Sequence, residues 1–362
     1  MDTQTDDAST ERGADEGLPP RRFGFVRRHK ALLAMFTILL LPTLALGGWV
    51  VYLNHQVEKI PRFQVDLDRP GRPVRPAGEA LTFLYVGVDS AQAGGSFQNT
   101  MKQETWPVGS FRSDAIMLVH LDADRTEAQL VSIPRDSWVP IPEHGKSKIN
   151  AAFSWGGPEL LAQTVEDLFD IYIDHIVVLD IAGFKRASEI VNGVPVWLAS
   201  DEILGGTMHR EGPQYLAGEA ALDYVQRRYG LPGGDFDRVE RQQNFLRGFL
   251  DRLGEIGMGD PLEVTQLSDQ LARLAAVDDD LTTGAMRELA WGLRDLQGEH
   301  VRFFTAPTNG LGREGAASVV RLDVPLTASL LRAIRRDQLA EWESRHGLDE
   351  LGEDAPVSAG AS

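Results

Sequence analysis

From residue 81 onward the chain alternates short apolar runs with stretches whose apolar positions recur at helical spacing. Leu81–Val88 (LTFLYVGV) is almost wholly apolar and ends at Asp89, as expected of a strand covered on both faces. A polar, Gly-rich loop of about twenty residues follows, a length at which loops are usually functional or disordered. Ala115–Leu121 and Ala128–Ile133 read as two strands around the turn Asp122–Arg125. Gly157–Asp170 places Leu160, Leu161, Thr164, Val165, Leu168 and Phe169 on one helical face. A strand over 175–180, a helix near 182–191, a strand over 194–198 and a helix over 217–225 come next. Another helical pattern opens at Asp235, a suitable N-cap, and carries Val239, Leu246, Phe249, Leu250 and Leu253. Helices are expected near 262–276, 284–297 and 325–345, with strands near 300–305 and 318–322. The alternation predicts an α/β domain with helices on both faces of a sheet.

The N-terminal part follows another pattern. Residues 1–30 are polar and carry six acids and six bases, the composition of a disordered tail. Residues 31–53 hold no charge; as a helix they span about 34 Å, enough to cross a bilayer core. Arg21, Arg22, Arg27, Arg28 and Lys30 precede the run, so the N-terminus is expected in the cytoplasm and the rest outside. A cleaved signal peptide is the rival reading, because Ala45-Leu46-Gly47 offers small residues, but the apolar run continues past that point. The expectation is a single-pass signal-anchor in the cell membrane. Residues 54–80, with four prolines and no clear period, read as a stalk; 81–347 as the domain; 348–362 as a disordered tail.

Charge narrows the function. The net charge of −17 lies entirely in residues 54–362, because residues 1–30 balance and the span has none. So acidic a domain lacks the footprint of a general nucleic-acid binder. Without cysteine there is no disulfide framework, thiol nucleophile or Cys-zinc site. The eight His form no HExxH pattern, and Gly145-Lys146-Ser147 fails as a P-loop because its first glycine would fall on Pro140.

Against that background Tyr224–Gln242 (YVQRRYGLPGGDFDRVERQ) stands out, with Arg227, Arg228, Arg238 and Arg241 around a Pro-Gly-Gly turn. Cations in the first turn of a helix oppose its dipole, and a bound anion relieves that cost. Arg238, Arg241 and Gln242 would share one face, which suggests a phosphate site. Other polar residues sit at strand ends and loop starts: Asp89, Arg112, Asp114, Arg135, Asp136, Lys148, Asn150 and Asp235. Ligands of α/β sheets bind at such ends, and carboxylates with several Arg and Lys suit diphosphate chemistry. Each residue taken singly also fits a surface ion pair worth about 0–1 kcal/mol, with Asp136 beside Arg135 an obvious pairing.

Residues 81 to about 253 resemble the LytR-CpsA-Psr family of bacterial cell-wall enzymes. The matching segments are GVDS (87–90), RSDAIMLVHLD (112–122), VSIPRD (131–136), KINAAFSWGGPELLAQTVEDLF (148–169), IDHIVVLDIAGF (173–184), VNGVPV (191–196), LAGEAALDYV (216–225) and GDFDRVERQQ (234–243). The resemblance implies a membrane-tethered external domain, α-β-α layered with a mixed central sheet. It implies transfer of a glycopolymer from an undecaprenyl- or decaprenyl-type polyprenyl diphosphate to a peptidoglycan acceptor through a phosphodiester bond, with Mg2+ as cofactor and the lipid tail in an apolar tunnel. By position, Asp89 and Asp114 match the metal-linked aspartates. Arg112, Arg135, Arg228 and Arg238 match diphosphate-binding arginines, Lys148 the lysine of the KIN segment, and Asp235 and Gln242 polar site residues. The catalytic set implied is Asp89, Asp114, Arg112, Arg135 and Arg238. The family commonly has Arg-x-Arg after the Tyr-Val, and here the first of these is Gln226, with Arg227 between it and Arg228. An extended backbone would turn Arg227 away from Arg228. The alternative is a non-catalytic polyprenyl-phosphate binder or sensor; the membrane is an expected partner, nucleic acid is not.

Overall fold

In the computed structural model the described residues are 52–89, 97–103, 105–109, 111–227, 231, 235–256, 261–296 and 300–347. They belong to one compact unit beginning at Leu53. The tails at 1–30 and 348–362, residues 31–51 of the expected span, and Arg228 lie outside the described residues. No helix among the described residues is long and apolar enough to cross a membrane.

The fold is a mixed seven-stranded sheet between two helical layers. Its strands are β1 (Arg62–Phe63), β2 (Leu81–Val88), β3 (Ser113–Leu121), β4 (Ala128–Ser132), β7 (His175–Asp180), β12 (Ala275–Asp278) and β13 (Val301–Thr305), in the order β1-β12-β7-β2-β3-β4-β13. Strand pairs β1/β12, β7/β2 and β4/β13 are parallel and the other neighbours antiparallel. The apolar run of β2 explains its central place. Leu84, Val86 and Val88 enter one core, against α2 (Asn150–Phe169) and α8 (Val324–Ile334). Phe83 and Tyr85 face the other core, with α3 (Ile181–Ile190), α4 (Gly218–Gln226), α5 (Asp235–Ile256), α6 (Pro261–Leu274) and α7 (Thr283–Gly292). Outside the sheet lie three ribbons: β5 (Trp138–Ile141) with β6 (Gly145–Lys148), β8 (Val194–Leu198) with β11 (Gly212–Leu216), and β14 (Thr308–Glu314) with β15 (Ala317–Leu322). A smaller hairpin joins β9 (Glu202–Leu204) and β10 (Thr207–His209).

Four expectations change. The proline-rich segment 54–80 is no free stalk but part of the domain. It supplies β1, buries Phe63 and Leu67, and is clasped to the domain by Arg69, Arg72 and Arg75. A two-residue strand and ion pairs about a hundred positions apart leave no period in the sequence. The long loop after Asp89 contains α1 (Phe97–Met101), whose Phe97 and Met101 are buried. The helix expected from Gly157 already begins at Asn150, with a break at Gly156 and Gly157 before Pro158 starts its main part. Gly157 sits at φ 67°, where a side chain would strike the Trp106 ring, so only glycine fits. The last expected helix is two, α8 and α9 (Leu339–His346), parted by Asp337 at φ 55°.

Strand direction fixes which end carries the site. Strands β2 and β7 run parallel and end at Asp89 and Ile181. Strand β12 runs against β7 and β1 runs with β12, so the chain enters β1 from the end at which β2 and β7 finish.

Candidate active site

One large cavity, of about 890 Å³, opens at that end of the sheet. Its floor is a β-bulge. The β2–β3 register pairs Gly87 with Ala115 but Val88 with Ser113, leaving Asp114 as the extra residue. A bulge re-aims the side chain it carries, and here it brings Asp114 into the cavity with Asp89. Gly87 permits this close approach, since a Cβ there would lie 3.0 Å from both Ala115 and Ile181.

The walls come from elements far apart in the chain. Arg112 leads into β3, and Arg135 and Asp136 leave β4. Lys148 ends the β5–β6 ribbon, which is pinned back by hydrogen bonds from Ile149 N to Ser137 O (2.8 Å) and Asn150 N to Arg135 O (3.2 Å). Gln226 ends α4, while Arg238 and Gln242 stand one turn apart on α5. Apolar surface is present as well, from Phe111, Trp138, Trp155, Ile181 and Val225. Among the described residues the lining holds four cations (Arg112, Arg135, Lys148, Arg238) against three carboxylates (Asp89, Asp114, Asp136), a net +1 within a chain of −17.

Pairing inside the cavity is crosswise. Arg135 bonds Asp114, not its neighbour Asp136, and Asp136 pairs with Lys148 at 3.0 Å. Gln226 donates to Asp89 at 3.3 Å. Gln242 donates to the carbonyl of Val225 at 3.3 Å, tying α5 to the end of α4. Arg238 is buried, at 3% exposure.

Seven of the nine residues that the family resemblance assigns to a site thus line one cavity: Asp89, Arg112, Asp114, Arg135, Lys148, Arg238 and Gln242, joined there by Asp136 and Asn150. Arg228 and the side chain of Asp235 lie outside the described residues; Asp235 itself opens α5. The arginine stretch divides. Arg241 does not share the face of Arg238 and Gln242. It is 1% exposed, bonds Glu202 at 2.5 Å and lies over the Tyr224 ring at 4.8 Å. Arg227, on extended backbone (ψ 130°), also turns away to Asp223 at 2.7 Å. Burial pushes the Tyr224 hydroxyl well above the usual phenol range. Trp138 and Trp155 also line the cavity; from sequence a tryptophan reads as core by default, and the signal for these two is nearness to Asp136 and Asn150.

The donor set suits a hard cation. Asp89 and Asp114 share the cavity floor while Asp136 pairs with Lys148, and among the described residues no three acidic or His side chains converge as a ligand cluster. Mg2+ commonly takes one or two carboxylates and completes its shell with water and substrate phosphate oxygens.

A cavity with this donor set at the carboxyl ends of central strands defines an α/β ligand-binding domain suited to phosphate-bearing ligands. The sequence places it more closely. The LytR_cpsA_psr family model matches residues 54–331, and the chain belongs to that LytR-CpsA-Psr family. It is 30% identical over 286 residues to the Corynebacterium glutamicum cell wall biosynthesis protein LcpA, covering 68% of this chain and 54% of that protein. It is also 30% identical over 232 residues to the Bacillus subtilis polyisoprenyl-teichoic acid–peptidoglycan teichoic acid transferase TagT, covering 62% of this chain and 64% of TagT. The chain thus spans roughly half to two thirds of these relatives' length. The solved structure of TagT bound to LIIa-WTA superposes with a TM-score of 0.58 at 22% identity, over 77% of this chain and 100% of the other, a likeness of fold.

Proposed function

We propose that this chain is a phosphotransferase that moves a glycopolymer from a polyprenyl diphosphate to a hydroxyl of peptidoglycan. The observation that carries the reading is the convergence of Arg112, Arg135, Lys148 and Arg238 with Asp89 and Asp114 in one cavity. Family membership and the teichoic acid transfer for which TagT is named support the reaction class.

In this reading the cations bind the diphosphate and stabilise charge as it develops on the departing oxygen. The acceptor hydroxyl oxygen attacks the phosphorus that bears the glycan, forming a new P–O bond. The bond from that phosphorus to the bridging oxygen breaks, and its electron pair leaves with polyprenyl phosphate. Asp89 or Asp114 accepts the hydroxyl proton. Mg2+ held by Asp89 and Asp114 would add neutralisation of the diphosphate charge. Arg135 keeps Asp114 in place, and Gln226 does the same for Asp89. The apolar side chains beside the polar floor offer a surface for the first part of a prenyl chain. The reading includes the single-pass anchor at 31–53, which would hold the domain outside the cell at the membrane that carries its donor.

The test is phosphotransfer in a lipid-linked glycan assay, with Arg135→Ala and Arg238→Ala each expected to slow transfer by about 10²–10³-fold. Rates unchanged in both variants would remove the cavity from the reaction.

A further inference from the structure

Four large apolar side chains that stand out in solvent fall between Val194 and Leu216: Trp197 (44% exposed), Ile203 (55%), Met208 (53%) and Tyr215 (63%). Strand alternation turns each of them outward from its own hairpin. In the β8–β11 ribbon Val194, Val196, Leu198 and Leu216 are buried in the core. The register then sets Trp197 opposite Pro213, and Pro195 opposite Tyr215, on the outward face. In the neighbouring hairpin Leu204 is buried, while Ile203 and Met208 are cross-strand partners in solvent. An apolar face of this kind, rimmed by polar groups, marks an interaction surface.

Its position relative to the cavity follows from α5. Arg238 and Gln242 of that helix line the cavity, and Arg241 between them holds Glu202 of β9. Farther down, Gly248 packs against Pro195, where a Cβ would meet the carbonyl oxygen at 2.1 Å, and Arg252 donates to the Val191 carbonyl at 3.0 Å. The ribbon therefore runs antiparallel to α5. From Gln242 to Gly248 the helix rises about 9 Å. At the near end the Ile203 carbonyl accepts from Arg227, the neighbour of the cavity residue Gln226. The β9 end of this surface is thus held at the turn of α5 that carries Arg238 and Gln242, and the β8 end lies farther down the helix.

Charge selects the occupant. The cations around this surface are already paired: Arg210 with Asp201 at 2.6 Å, Lys185 with Glu219, and Arg227 with Asp223. Among the described residues that leaves no positive surplus there to hold an anionic polymer or phospholipid. An exposed carboxylate such as Glu211 can accept hydrogen bonds from hydroxyls, and the flat faces of Trp197 and Tyr215 suit the C–H faces of sugar rings.

We propose that this face is a subsite for a neutral stretch of the glycan carried by the donor, several sugars beyond the diphosphate in the cavity. The proposal rests on the glycopolymer-transfer reading, and it narrows the polymer to one with an uncharged stretch.

The experiment uses the full chain in membranes and two lipid diphosphate donors, one bearing a long neutral glycan and one cut back to its first sugars. Trp197→Ala with Tyr215→Ala is expected to raise KM for the long donor by roughly fivefold to tenfold, with kcat and the short donor unchanged. Trp197→Phe with Tyr215→Phe, which keeps both rings, should restore most of the loss and serves if the alanine pair fails to fold. A KM unchanged for the long donor, or raised equally for both donors, overturns the subsite. A wild type that turns over neither donor refutes the transfer reading instead. The subsite is then read by gel retardation in the delipidated long glycan: retardation lost in the alanine pair supports it, and no retardation of the wild type overturns it. Phosphatidylglycerol vesicles bound by the wild type and not by the alanine pair, with glycan binding unaffected, would assign the face to the bilayer and also overturn it.

Discussion

Two regions of this molecule are built from the same residue types and differ in what surrounds them. On the side where segment 62–78 is clasped to the domain, Glu166 is fully buried and its oxygens are enclosed by donors: Arg69, Arg72 and the backbone N–H of Ile173. Arg72 also reaches the Ile173 carbonyl at 2.9 Å and lies over the Tyr172 ring at 4.1 Å. Farther along, Arg75 meets Asp174 at 2.7 Å, a hydrogen bond that raises its already high pKa further. In the cavity, Arg112, Arg135, Lys148 and Arg238 stand with carboxylates too, but around about 890 Å³ of open space. Arginine and carboxylate do not by themselves mark a site. A clasp encloses its charges with protein, whereas a site leaves room for a ligand among them.

The largest effect that follows is on stability. Glu166→Gln keeps the shape and removes the charge, leaving Arg69 and Arg72 without their buried partner. It is expected to cost about 3–5 kcal/mol in urea unfolding. The cavity variants Arg135→Ala and Arg238→Ala should lose transfer while unfolding close to the wild type. If Glu166→Gln left stability unchanged while Arg135→Ala collapsed the fold, the contrast would be reversed.

A middle-sized effect comes from Gln226, the neutral residue beside Asp89 where the family commonly carries arginine. Gln226→Arg adds a cation to the cavity and should tighten binding of a polyprenyl diphosphate by about tenfold, measured by calorimetry. Weaker binding would show that the added guanidinium is consumed by Asp89.

The smallest effect tests a half-buried polar group outside both the clasp and the active-site cavity. His120 hydrogen-bonds Thr82 at 3.2 Å, and burial, reinforced by Arg335, holds its pKa below the ordinary 6.5. The folded state therefore resists protonation that the unfolded chain accepts. Stability should be unaffected above about pH 6.5 and fall as pH drops below it, through the unfolded pKa. His120→Gln should flatten that acid limb in thermal melts at pH 7 and pH 5.5. An identical slope in both proteins would assign acid loss to other groups.

Sequence legibility follows the same physics. Strands β2, β3, β4 and β8 are apolar runs bounded by turn residues, and their limits could be placed to within a residue or two. Strands β1, β9, β10 and β12 are two to four residues long and carry no period to detect. Asp89, Arg112, Arg135 and Lys148 could be singled out because they flank strands or loops. The bulge that turns Asp114 beside Asp89 depends on cross-strand register, which spacing along one strand does not encode. Likewise Arg238 and Arg241 look equivalent in sequence. Only the hairpin that brings Glu202 against α5 separates them.

The direction of β1 has a mechanical consequence. Because the chain enters that strand from the cavity end, the residues just before it work as a short leash fixed on the cavity's side. Gln56, six residues before β1, is already buried at 1% exposure, so little slack remains between the domain and whatever holds residue 53. With an anchor in the bilayer, such a leash would limit how far the cavity can swing from the surface. A ligand whose tail stays in the lipid would then be met within reach, and a distant one would have to come to the domain.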